Sequence, residues 1–224
     1  WRKPHSMLST STIRIAAVML LVTVVLGALF NQYFVGPVIF AKDFLTGAAS
    51  NDSRIITGVL LSVVDGITGL SIAILLWPMF KATNRFMAAL YIGLSFIGFV
   101  TVLVDDVAVL TILGLSREYV KTSDSALQSL SVVFFQTRWW THYITLLMAG
   151  PSFTALNVLL FQSRLVPHFI SVWGIIGAGL LMIEIVLSMF GKPTNLLMLM
   201  PFGLQQMVLI VWLLIRPASN SAVR

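Results

Sequence analysis

Six long, predominantly apolar runs constrain this chain more than any other feature. They lie near Ile13–Gly36, Ile56–Phe80, Phe86–Leu115, Trp139–Phe161, His168–Phe190 and Thr194–Ile215. Crossing the hydrocarbon core of a bilayer takes about 20 apolar residues in helical form, so each run is long enough for one span. With 58% hydrophobic and 10% charged residues in 224, and a mean hydropathy of +0.97, no soluble core could hide this much apolar surface, since soluble domains carry about 25% charge. The spans must be helices, because backbone groups in lipid have to be satisfied within their own segment. The expected fold is therefore all-α: a polytopic integral membrane bundle of six transmembrane helices over 13–216, with short loops and polar tails at 1–12 and 217–224.

The breaks between runs pair a charge with a turn former: Lys81 to Arg85, Ser163 to Pro167 and Gly191-Lys192-Pro193. They predict tight antiparallel hairpins between spans two and three, four and five, and five and six. Two connections are longer, Pro37–Ile55 and Ser116–Arg138. In the second, Ser123-Asp124-Ser125 has the character of a helix start, followed at helical spacing by Leu127, Leu130, Val133 and Phe134. That segment either lies on the interface or extends the fourth helix outward, and Trp139-Trp140 anchors the junction at headgroup level. The first run lacks a small-residue cleavage site and reads as a retained span; Met7 is the expected start, with residues 1–6 an upstream extension.

The formal charge of +6 and pI near 10.1 do not point to nucleic acid, because the 14 Lys and Arg are scattered singly at span ends. They are topology signals. Eight fall on the side of the termini (Arg2, Lys3, Arg14, Lys81, Arg85, Arg164, Arg216, Arg224) and six on the other (Lys42, Arg54, Arg117, Lys121, Arg138, Lys192). That majority favours cytoplasmic termini. The absence of cysteine excludes disulfides, thiol catalysis and cysteine-ligated metals or clusters.

Charge inside a bilayer costs at least about 2.5–3.5 kcal/mol per residue, so the embedded carboxylates Asp65, Asp105, Asp106 and Glu184 are the first candidates for a site. At about 1.5 Å per residue all four fall in the half of the membrane beneath the long loops. Asn31, Gln32, His142, Gln205 and Gln206 share that half, beside stripes of small residues such as Ser62, Gly66 and Gly69, or Gly174 and Gly177. The functional expectation is a polar chamber binding a proton, a cation or a small polar ligand through Asp65, Asp105, Asp106, His142, Glu184, Gln205 and Gln206. The competing reading is a hydrogen-bonded plug of protonated acids and amides. Asp105 and Asp106 sit about 100° apart on a helix, so only one is expected to face the chamber centre.

Specific reactions find little support. A single intramembrane histidine is too few for a metallohydrolase or a bis-histidine haem. Ser152, beside Gly150-Pro151, has no His–acid partner in sequence, and neither a Walker loop nor a dinucleotide fingerprint is present. No cofactor is indicated, and no metal ligands or catalytic residues are assigned. The expected protein is non-enzymatic, an accessory subunit whose partners are the lipid bilayer and other membrane subunits or further copies of itself. A proton-coupled transporter, titrating at Asp65, Asp105 or Asp106 and Glu184, is the first alternative, although inverted repeats and broken helices are lacking. A membrane enzyme acting on lipid near His142 is the second.

Leu61-Ser62-Val63-Val64-Asp65 leading to Lys81–Arg85, Phe161–Pro167 followed by Gly174 and Gly177, and Gln206 through Trp212 to Arg216 recur in one order. On these motifs the chain, from about Arg14 to Arg216, resembles a bacterial family of six-helix membrane proteins known as domain of unknown function 4386. The resemblance implies the fold and the membrane location and brings no reaction with it. It also implies a charged pair on the first half of helix three and a Glu on helix six, where this chain has Ser95, Gly98 and Gln206 instead, with Asp105-Asp106 deeper along helix three. A charge-dependent activity common to the family would be lost or moved in this member.

Overall fold

A chain of mostly apolar residues satisfies its backbone in lipid by helix formation, and the computed structural model, which describes residues 10–215, is helical almost throughout, with no strand among the described residues. Its elements are α1 (Thr10–Leu29), a π-helical turn (Phe30–Phe34), α2 (Gly36–Ile39), α3 (Phe44–Ser50), α4 (Asp52–Thr83), α5 (Arg85–Thr122), α6 (Ser125–Ser163), α7 (His168–Met189) and α8 (Leu196–Ile215). Six helices are long and apolar enough to cross a membrane: Thr10–Ile39 taken together, and α4 to α8. Large apolar side chains such as Phe86, Leu196, Ile215 and Phe190 stand outward. Lipid accepts a surface that water would not. The protein is a membrane-embedded helical protein.

Met7, and the charges Arg2, Lys3, Arg216 and Arg224, lie outside the described residues. Within them, the stretch Ser116–Arg138 follows one of its two expected readings, a helix that starts after Ser123-Asp124 and extends the fourth span outward: α5 runs on to Thr122, α6 begins at Ser125, and only Ser123 and Asp124 intervene. The capping carboxylate of Asp124 accepts the Ala126 N–H at 2.8 Å, which satisfies one of the free donors at the start of α6. The other connection, Pro37–Ile55, is largely helical as well, and α4 starts at Asp52.

The chain divides into two compact units. One comprises residues 10–21, 69–97 and 146–215, and so contains α7 and α8 whole. There α7 and α8 approach so closely that a side chain on Gly177 would meet the backbone of Phe202 at 3.0 Å, while Phe153 stacks edge-on against Phe202 at 4.8 Å. Asn84 alone separates α4 from α5, and its Oδ1 caps α5 by accepting the Met87 N–H at 3.1 Å.

The other unit comprises residues 22–68 and 98–145. Its apolar core gathers Phe30, Val35, Val38 and Ile39 with Ala48, Ile55 and Val59, and with Val109, Ile112 and Leu113 of α5. The π turn is held from α4 by Arg54, whose Nε donates to the Tyr33 carbonyl at 2.8 Å and whose guanidinium lies 4.9 Å from the Tyr33 ring centre. Ser116 ties α3 to α5 by accepting the Ala49 N–H at 2.7 Å.

Ser123 closes α5 in the left-handed region at φ 53, donating its N–H to Tyr119 at 2.8 Å. Left-handed geometry costs an L-residue roughly 1–2 kcal/mol and glycine almost nothing. Ser123→Gly is therefore expected to stabilise the protein by about 1 kcal/mol, seen as a raised thermal midpoint in detergent. An unchanged or lowered midpoint would show that the turn is not strained.

Candidate functional site

The second unit contains an ionic cluster, built where α4, α5 and α6 each bring a polar residue inward. On α6, Leu127, Ser131, Phe134 and Arg138 recur at helical spacing and carry Arg138 to the buried face, where it has 0% exposure. On α5, Asp105 heads a buried stripe through Val109, Ile112 and Ser116. The two meet: Arg138 Nη1 lies 3.0 Å from Asp105 Oδ1. Asp105 Oδ1 also accepts the Thr141 hydroxyl at 2.7 Å, and its Oδ2 is 3.9 Å from His142 Nδ1. His142 keeps 22% side-chain exposure, against 7% for Asp105 and 0% for Arg138.

The ion pair is not locked. None of the three guanidinium nitrogens of Arg138 has an aligned hydrogen-bond acceptor in the protein, so the Asp105 contact is electrostatic and off-axis, without the bidentate fork that fixes most buried arginines. The ring of Phe40 lies 5.7 Å from the guanidinium carbon and that of Phe30 6.0 Å. Both are within cation–π range. Phe40 in turn stacks on Trp139 at 4.9 Å, and Trp139 on Tyr143 at 5.5 Å.

Asp105 is 5% and Asp106 3% exposed, because α5 has a neighbour on each side of that arc: Asp105 meets α6, while Asp106 sits beside Ser62 of α4 without reaching hydrogen-bond geometry. Both oxygens of Asp106 are buried with no donor, as is Asp65 Oδ1. Asp106 interacts through charge with Asp105, Arg138 and Asp65. The other oxygen of Asp65 lies over Gly27, where an added Cβ would be 3.9 Å from Oδ2. The Arg138 guanidinium thus has two carboxylates as charge partners, Asp105 and Asp106, and Asp65 is coupled to Asp106.

The remaining candidates lie in the first unit, each with partners. Glu184, 1% exposed, uses Oε1 to accept the Asn195 N–H at 2.8 Å and the Ser188 hydroxyl at 3.3 Å, so it ties α7 to the segment leading into α8. Gln206 donates to Gln205 Oε1 at 3.1 Å, and Gln205 donates to Asn157 Oδ1 at 3.0 Å and to the Ile170 carbonyl at 3.2 Å. This amide relay links α6, α7 and α8. Ser152 pairs with the Ser95 hydroxyl at 3.2 Å. Asn31 of the π turn donates to the Gly27 carbonyl at 3.0 Å, and Gln32 faces outward. Among the described residues no group of three His, Cys, Asp or Glu side chains has the geometry to hold a metal ion.

Among these residues Arg138 stands apart from its sequence reading, which places it with the loop cations, whereas it is buried. The signal was present in its register, four residues after Phe134 and seven after Ser131 on one stripe.

Six helices long and apolar enough to span a membrane, among which an arginine is buried beside two carboxylates, define a polytopic helical membrane protein. Within that class the chain belongs to the family described as domain of unknown function 4386, whose model matches residues 15–216. No curated protein and no solved structure matches it.

Proposed function

We propose that this chain is a non-enzymatic membrane protein that reversibly binds protons at the carboxylates around Arg138. We further propose that it works as an accessory subunit of a larger assembly in the bacterial plasma membrane, with both termini cytoplasmic. The observation that carries the first reading is Asp106, buried with two donor-free oxygens beside Asp105 and Arg138. If Asp105 and Asp106 were both ionised against Arg138, one negative charge would remain uncompensated (2 − 1 = 1). A buried charge without a partner costs several kcal/mol. Bound protons remove that cost, and their release is a reversible event a membrane subunit can use. Glu184, Gln205 and Gln206 serve as structural ties in this reading, since each already has a partner.

The orientation is supported by charge. With Arg138 buried it no longer counts as a loop cation, so eight Lys and Arg on the side of the termini stand against five on the other. The bias toward a cytoplasmic terminal side grows accordingly.

Infrared difference spectroscopy across a pH step, on the protein in lipid nanodiscs, tests the proton site. A protonated-carboxyl carbonyl band that responds to pH is expected in the wild type and in Glu184→Gln, and its loss is expected in Asp106→Asn. A band unaffected by Asp106→Asn, or no titrating band at all, would reject the reading.

A further inference from the structure

We propose that the turns joining α4 to α5 and α6 to α7 together form a docking surface for anionic phospholipid, its phosphate held by Lys81, Arg85 and Arg164 and its acyl chains packed on the phenylalanines beside them. Every residue of this surface belongs to the first unit, whereas the groups of the proton reading all lie in the second, so the two stand or fall separately. Three observations carry the inference. The first is a hydrogen bond between the turns: Asn84 Nδ2 donates to Gln162 Oε1 at 3.1 Å. Lys81, Arg85 and Arg164 each lie within three residues of that bond and are exposed, so charges that are distant in sequence share one patch.

The second observation is the lack of a counter-charge. Glu184 is the only carboxylate among the described residues of the first unit. It is buried, bonded to the Asn195 N–H, and about 24 Å along α7 from His168 at 1.5 Å per residue. None of the three cations has an ion-pair partner among the described residues, while in the second unit Arg117 pairs with Asp52 and Lys121 with Glu118. The third is the apolar flank. Phe86 follows Arg85, and Phe161 and Phe169 bracket Arg164; they are 71%, 39% and 61% exposed. Exposed rings call for hydrocarbon, and cations at the ends of spans reach the headgroup layer. A soluble anion would satisfy the charges and leave the rings uncovered, whereas one phospholipid supplies a phosphate and its chains together. Guanidinium forks match phosphate oxygens, and Lys81 adds a point charge. Each Lys or Arg close to an anionic leaflet is worth roughly a fivefold preference.

Native mass spectrometry of the full-length protein, titrated in detergent with phosphatidylglycerol or with zwitterionic phosphatidylcholine, tests the surface. The first phosphatidylglycerol is expected to bind the wild type at least about fivefold more tightly than phosphatidylcholine, the contribution of one cation. The triple variant Lys81→Gln, Arg85→Gln, Arg164→Gln is expected to lose that preference, each single variant to lose part of it, and Arg164→Lys to keep it. A control that removes equal charge elsewhere, Lys42→Gln, Lys121→Gln, Lys192→Gln, is expected to bind as the wild type does. Excess glycerol phosphate, a headgroup without chains, is expected to leave the bound lipid in place. Equal affinity for the two lipids in the wild type would overturn the proposal and leave an acidic protein segment as the partner these cations fit. Equal loss in the control, full preference in the triple variant, or displacement by glycerol phosphate would overturn it as well.

Discussion

Arg138→Leu is expected to destabilise the protein by about 3–5 kcal/mol, the cost of breaking a buried ion pair and leaving the partner charge behind. The residue left behind is Asp105, 5% exposed, which would keep only the Thr141 hydroxyl and a distant imidazole. The loss should show as a large drop in thermal midpoint or in resistance to denaturing detergent. The double variant Arg138→Leu with Asp105→Leu separates charge from packing. Replacing both members of a buried pair by apolar residues is often neutral or stabilising, so the double variant is expected to recover most of the loss. A double variant as unstable as the single one would mean that Arg138 supports the second unit by filling space between Phe30 and Phe40, with the charge incidental.

Gly174→Ala carries the second large expected effect, in the other unit. A Cβ there would collide with the Asn157 side-chain amide. Asn157 is fully buried and short, and its position is fixed by its bond to the Phe153 carbonyl at 2.9 Å and by Gln205 at 3.0 Å. Overpacking costs about 1–3 kcal/mol, and a buried amide left unpaired adds about 1–3 kcal/mol, so a total of about 2–6 kcal/mol is expected. Gly179→Ala is the control, since nothing lies within 4 Å of the Cβ it would add. Equal midpoints for the two variants would show that the amide relay does not clamp α6, α7 and α8 together.

Membrane topology was legible in the sequence because the hydrophobic requirement of a bilayer is severe and continuous, so each span declares itself by length. The acids were legible for the same reason: Asp65, Asp105, Asp106 and Glu184 interrupt apolar runs where charge is costly. Their grouping was not. Glu184 carries the same chemical signature as Asp106, yet it is bonded to the Asn195 backbone while Asp106 has no donor, a difference set by the neighbouring chain and invisible in a run of residues. Arg138 was obscured by a sound rule, that cations mark the ends of spans, applied where α6 starts nearly four turns earlier than its apolar run suggests. The helix there is set by the Asp124 cap and the spacing from Leu127 onward, which are local signals weaker than hydropathy.

The helices α5 and α6 are joined by a turn of only two residues. At 1.5 Å per residue their 38 and 39 residues measure about 57 and 58 Å, against a hydrocarbon thickness of about 30 Å. Tilts within the usual range of about 0–40° cannot hide the excess. The turn at Ser123 and Asp124 must therefore stand in water on one side only. Because the chain contains no cysteine, a single thiol introduced at that turn would be the sole target for a membrane-impermeant reagent. The molecule thus carries its own compass: labelling intact cells or inverted vesicles would read the sidedness directly.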